Sequence, residues 1–155
     1  MSISTRRATL DDLDVVAPLF DAYRRFYQQP ADLLRARAFL RERMQLNQSL
    51  VLVAERDGTA LGFSQLYFMF SSVRTAPIWI LNDLYVVDTA RRCGVARQLL
   101  DAAAVAAREA GAARIMLETG RDNGPARALY RAAGWVEDDS QWYSLSLAGT
   151  PADVR

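Results

Sequence analysis

The sequence contains no histidine and a single cysteine, Cys93. Without histidine, the common Ser-His and Cys-His nucleophile pairs and the usual zinc sites are excluded, so acid–base work falls to Tyr, Asp, Glu or water. A lone cysteine closes no internal disulfide and builds no thiolate cage; no metal site is expected, and a reducing, cytoplasmic setting is. Charge of one sign is also lacking. Nineteen basic against eighteen acidic residues leave a net charge of +1, too weak a field to hold nucleic acid or an anionic membrane, so any anion site must be local. No apolar run approaches the roughly 18 residues of a membrane span, and Met1–Arg7 carries no signal-peptide run.

What is present suffices for one core. With 155 residues, 51% of them hydrophobic, the chain is expected to form a single domain over residues 1–148, with a loose tail over 149–155 where Gly149, Pro151 and Asp153 gather. Ile3–Ala8 reads as a strand, and Thr9 with Asp12 as a capping box opening a helix. Leu13, Val16, Ala17, Phe20 and Tyr27 share one helical face, which Pro18 should kink or split. A second amphipathic helix follows Pro30, with Leu33, Arg37, Leu40 and Met44 in step, closing near Asn47. Leu50–Glu55 and Ala60–Phe70 are strands joined at Asp57-Gly58, a strong hairpin signal, and Pro77–Val87 is a further long strand. The period turns helical from Gly94 to Ala110, with Val95, Leu99, Ala103 and Ala107 inward and Gly111 as the stop. Ala113–Glu118 is the next strand, Pro125–Ala133 a helix stopped by Gly134, and Trp135–Glu137 and Gln141–Leu147 the last strands. This order predicts an α/β (α+β) fold: a mixed, mostly antiparallel central sheet of about seven strands flanked by about four helices.

Arg91-Arg92-Cys93-Gly94-Val95-Ala96 lies between a long strand and the start of a long helix. Amides in a first helical turn lack internal partners and sit at the positive end of the helix dipole, which together suit a pyrophosphate. Gly94 and Ala96 keep bulk away from the backbone, while Arg91, Arg92 and Arg97 add positive charge. The turn has neither the Lys-Ser/Thr end of a Walker loop nor the glycines of a dinucleotide fingerprint.

These residues resemble the GCN5-related N-acetyltransferase (GNAT) family, whose acetyl-CoA turn is written Q/R-x-x-G-x-G/A. A second block agrees: Asn123 to Trp135 is similar to the family signature N-x-x-A-x-x-L-Y-x-x-x-G-F/W, through Asn123, Ala126, Leu129, Tyr130, Gly134 and Trp135. Ile80 to Val86 resembles the polyamine-acetylating and histone-acetylating small members in particular. The resemblance implies acetyl-CoA as cosubstrate and no metal. It implies that Leu84, Tyr85 and Val86 offer backbone hydrogen bonds to the pantetheine arm, that Arg91, Arg92, Cys93, Gly94, Val95, Ala96 and Arg97 cradle the pyrophosphate, and that Asn123 and Ala126 meet the cofactor arm. Tyr130 would then stand beside the thioester sulfur as general acid. Two departures stand out: many relatives have Gly where this chain has Arg92, and some have Glu where it has Asn82. Family members also pair through terminal strands, which implies a homodimer with Gln141–Leu147 at the interface.

An alkylammonium of pKa near 10.4 is only roughly one part in a thousand free base at neutral pH, a penalty of about 4–5 kcal/mol before attack. Asp83, or a water held by Asn82, is the candidate proton acceptor. Tyr27, Tyr67, Asn82 and Trp142 are the candidate acceptor-binding residues, with Tyr23, Phe26, Phe70 and Tyr143 as further aromatic wall. The expected activity is transfer of an acetyl group to a primary amine of a small molecule by direct attack in a ternary complex. The alternatives are acetylation of a protein lysine or N-terminus, and a coenzyme A-binding module without turnover.

Overall fold

Strand, two helices, three strands, helix, strand and helix follow one another in the computed structural model, which describes residues 2–147. The expected tail, residues 149–155, and residue 148 lie outside the described residues. Two units are distinguished, Met1–Glu118 and Thr119–Arg155.

The first unit holds the whole sheet: β1 (Ser4–Arg7), β2 (Ser49–Arg56), β3 (Thr59–Ser71), β4 (Ala76–Val86) and β5 (Arg114–Met116), side by side in that order. The first three pairings are antiparallel and β4–β5 is parallel, as a helical crossover between two strands requires. At the β2–β3 hairpin, Asp57 and Gly58 both take positive φ, 53° and 75°, the backbone that matches a two-residue turn to strand twist.

Alternation divides the sheet into two apolar faces. Val51, Val53 and Phe63 pack with Leu13, Val16, Ala17, Leu19 and Phe20 of α1 (Leu13–Phe26) and with Ala36 and Leu40 of α2 (Leu33–Gln45). α3 (Val95–Glu109) contacts β2, β3 and β4 and buries Val95, Leu99, Leu100, Ala103 and Ala107. It ends at Gly111, φ 78°. The inward stripe is the expected one with Leu100 added. The capping box anticipated at Thr9 and Asp12 is present, with the Asp12 carboxylate accepting from the Thr9 amide at 2.7 Å, although the turn it opens, Leu10–Asp12, is 3-10.

Pro18 neither splits nor ends α1, which runs unbroken through it. The proline is exposed, so the Asp14 carbonyl that loses its partner faces solvent, while residues on either side of it bury the apolar face that holds the helix together. Asp21, buried near the end of α1, accepts from the Asp32 amide at 2.9 Å and pairs with Arg24 and Arg25. This fixes the start of α2, whose own cap is Asp32 accepting from the Arg35 amide at 3.0 Å.

The second unit contains α4 (Gly124–Ala132). The two strands expected at Trp135–Glu137 and Gln141–Leu147 do not form: among the described residues no strand follows Met116, and the sheet has five strands. The Trp135 amide donates to the Tyr130 carbonyl at 2.9 Å, so it completes the helix end behind Gly134, φ 87°, instead of opening a ladder. In 141–147 the strand-forming residues Trp142, Tyr143, Leu145 and Leu147 are all exposed, Tyr143 to 91%. Composition alone does not make a strand without a paired neighbour.

Candidate active site

β4 is the strand on which the candidate groups converge. Its pairing with β3 runs Gly62↔Val86, Phe63↔Tyr85, Ser64↔Leu84 and Gln65↔Asp83, then jumps to Leu66↔Leu81. Asn82 is therefore an extra residue, a bulge that re-aims the side chains around it. Its carbonyl accepts from the Tyr23 hydroxyl of α1 at 3.1 Å. Its side-chain Nδ2 donates to Asp83 Oδ1 at 2.7 Å, and Gln65 Nε2 donates to Asp83 Oδ2 at 2.6 Å. Asp83 is 2% exposed and Gln65 0%; both side chains share the sheet face of Val51 and Phe63, beneath α1. Gln65 carried no motif signal, and only the register reveals it.

Aromatic rings enclose this cluster on the α1 side. Tyr23 meets Phe63 edge-on at 6.1 Å and Tyr27 at 5.0 Å, and Tyr27 meets Phe26 at 5.3 Å. Tyr67, half-buried, lies two residues beyond Gln65 on the same face, in register with Ser49 and Ile80. Tyr23, Tyr27, Gln65, Tyr67, Asn82 and Asp83 thus belong to one side of one sheet. Phe70 is exposed near the far end of β3. Trp142 and Tyr143 lie in the second unit and are exposed.

Among the described residues the β5 side of β4 is open over its C-terminal half, because β5 pairs with Ile78, Trp79 and Ile80 and no strand continues beyond them. The Val87 amide donates to the Leu61 carbonyl at 2.9 Å, and a Cβ built on Gly62 would lie 2.6 Å from the Tyr85 carbonyl oxygen. The backbone groups of Tyr85 and Val87 therefore face β3, and by alternation those of Leu84 and Val86 face the open edge. The Val86 carbonyl accepts from Arg91 Nε at 3.2 Å. Of the three residues expected to offer backbone groups on this edge, Tyr85 has its own turned inward to the sheet.

Beyond β4, a 3-10 turn (Asp88–Ala90) leads into the anticipated anion turn. Arg92 takes φ 60° and Gly94 φ 82°, ψ 4°, with α3 starting at Val95. Left-handed residues in such a turn gather successive N–H groups into a concavity, and Arg91–Gly94 are exposed. The three arginines differ. Arg91 pairs with Asp88 at 2.8 Å and Arg97 with Asp101 at 3.1 Å, whereas Arg92 has no hydrogen bond or ion pair among the described residues. The mobile charge at this turn is Arg92. Cys93 is exposed, with Sγ 3.4 Å from the Arg91 carbonyl.

In the second unit, Asn123 Oδ1 caps α4 by accepting from the Ala126 amide at 3.3 Å, and Pro125 occupies its first turn. Tyr130 is half-buried with its ring 6.4 Å from Trp135. Glu137 pairs with Arg127 at 3.3 Å. Among the described residues there is no group of His, Cys, Asp and Glu that could hold a metal ion and no helix long and apolar enough to cross a membrane.

The model of the Acetyltransferase (GNAT) family matches residues 16–135. An uncharacterized N-acetyltransferase of Bacillus subtilis (strain 168), YhfO, is 45% identical over 136 residues, 88% of this chain and 91% of that protein. The crystal structure of a probable acetyltransferase superposes with a TM-score of 0.88 at 40% identity, over 97% of this chain and 100% of that one. The ribosomal-protein-alanine N-acetyltransferase of Brucella melitensis biovar Abortus 2308 has the same fold, with a TM-score of 0.77 at 23% identity over 94% of this chain and 100% of that one.

Proposed function

The chain belongs to the GNAT family of N-acetyltransferases, and from that premise we infer that it transfers an acetyl group from acetyl-CoA to a primary amine of a small molecule, by direct attack while both substrates are bound. The observation that carries this reading is the arrangement along β4. A buried carboxylate and a carboxamide at its bulge lie under the tyrosines of α1, and the same strand runs on as an open edge into an anion-binding turn. An amine head and a phosphate-bearing donor are thus offered adjoining stretches of one strand.

The chain's residues fit such a donor. Leu84 and Val86 present backbone groups on the open edge, the first amides of α3 and the left-handed turn face anionic oxygens, and Arg92 supplies a cation. Coenzyme A, when bound, supplies an acyl group activated as a thioester. Asp83 takes the proton from the acceptor ammonium, a deprotonation that costs about 4–5 kcal/mol at neutral pH. A new C–N bond forms as the C–S bond breaks, and Tyr130 gives its hydroxyl proton to the sulfur, as the family signature around it implies. The nitrogen, which still carries one proton too many after attack, gives it up to restore the Tyr130 hydroxyl, and Asp83 returns its own proton to solvent. A backbone N–H on the open edge, at Leu84 or Val86, steadies the negative charge that develops on the acyl oxygen.

Tyr27, Tyr67, Asn82 and Trp142 are assigned to the acceptor side. A homodimer is expected, its interface covering the exposed side chains of Gln141–Leu147; the mass measured by light scattering tests it. The activity is tested by incubating the protein with acetyl-CoA and a panel of small amines while following free thiol. Release with alkylamines is the expected result. Tight coenzyme A binding with no release across the panel identifies a binding module instead, and release only with peptides identifies a protein acetyltransferase.

A further inference from the structure

Gln65 is completely buried, and although its Nε2 donates to Asp83, its Oε1 has no hydrogen-bond partner among the described residues. An orphaned carboxamide oxygen in a core is destabilising, and a leucine or methionine would fill the same space between Val51 and Asp83 without that cost. The orientation is not arbitrary. Only the NH2 end of a carboxamide can donate to a carboxylate oxygen, so an ionised Asp83 fixes which way Gln65 points, and the same holds for Asn82 on the other oxygen. Asp83 is therefore gripped from both sides, by β3 across the register and by the bulge of its own strand.

We propose that Gln65 is a positioning residue for proton removal: it holds the Asp83 carboxylate in one rotamer, so that Asp83 accepts the proton of an acceptor amine that arrives as an alkylammonium. The inference rests on the acetyltransferase reading above and adds a residue to it. In the step, one proton passes from the ammonium nitrogen to an Asp83 oxygen, leaving the nitrogen lone pair for the acyl carbon, and then leaves to solvent.

The test compares two acceptors, a strongly basic alkylamine and a weakly basic amine such as hydroxylamine, which is largely deprotonated already. In Gln65→Met, which keeps the volume and removes the donor, kcat/KM for the alkylamine should fall by about tenfold or more, with the loss in kcat. For hydroxylamine it should change by no more than about twofold, and KM for acetyl-CoA should stay the same. Gln65→Leu serves as a second non-donor, and thermal unfolding checks that each variant folds. In the Asp83→Asn background, Gln65→Met should add no further loss. Equal losses for the two amines, or additive losses in the double variant, overturn the proposal and leave the acetyltransferase reading standing. Wild-type protein that releases no thiol with either amine overturns both.

Discussion

Arg92 holds a left-handed backbone at φ 60°, and its guanidinium has no partner among the described residues. A side chain there costs about 1 kcal/mol relative to glycine, the residue many family members carry. Arg92→Gly should therefore raise stability by about that amount in denaturant titrations, while weakening coenzyme A binding and flattening its salt dependence. At Tyr130 the expected loss is in turnover. Tyr130→Phe should lower kcat by about a hundredfold or more with the coenzyme A dissociation constant nearly unchanged, read by thiol release and calorimetry. Far from either, Arg6 donates to Asp12 at 2.8 and 2.9 Å and also pairs with Glu55. Chiefly through Arg6, then through the Thr9 amide, the Asp12 carboxyl is lowered to about 2 from its ordinary 3.8. The unfolded chain thus takes up this proton first. The stabilisation is complete above about pH 4 and is lost as pH falls toward 2, so Asp12→Asn should flatten the acid-unfolding profile in that interval.

Elements were legible in the sequence where local rules agree with packing. α3 shows an unbroken apolar period between Gly94 and Gly111, and the β2–β3 hairpin has its Asp-Gly turn. They were misread where a local rule met a tertiary one. Pro18 breaks helices in isolation, but here its exposed face lets solvent serve the Asp14 carbonyl, and Pro18→Ala should stabilise α1 by about 1–3 kcal/mol in thermal unfolding. Strand propensity at Gln141–Leu147 found no ladder to join. The anion turn could be placed from its glycine and arginines, whereas Gln65 could not, because its meaning depends on a register shifted by the bulge at Asn82. Gly62 shows the same dependence. A methyl there would sit 2.6 Å from the Tyr85 carbonyl oxygen, so Gly62→Ala should cost about 1–3 kcal/mol and disturb β4 beside the candidate site.

For the molecule as a whole the charge is near neutral, so the positive charge of Arg91, Arg92 and Arg97 around the turn before α3 is a local feature and not part of a global field. Every one of the 19 basic residues is arginine, so the protein offers no lysine amine of its own as a competing acceptor. The short β5 has a further effect. It leaves the C-terminal half of β4 as a lip with no strand beside it among the described residues, the kind of edge to which stray chains adhere. A donor lying along that lip would act as its missing neighbour, so preparations kept saturated with coenzyme A should clump less on warming than bare protein at the same concentration.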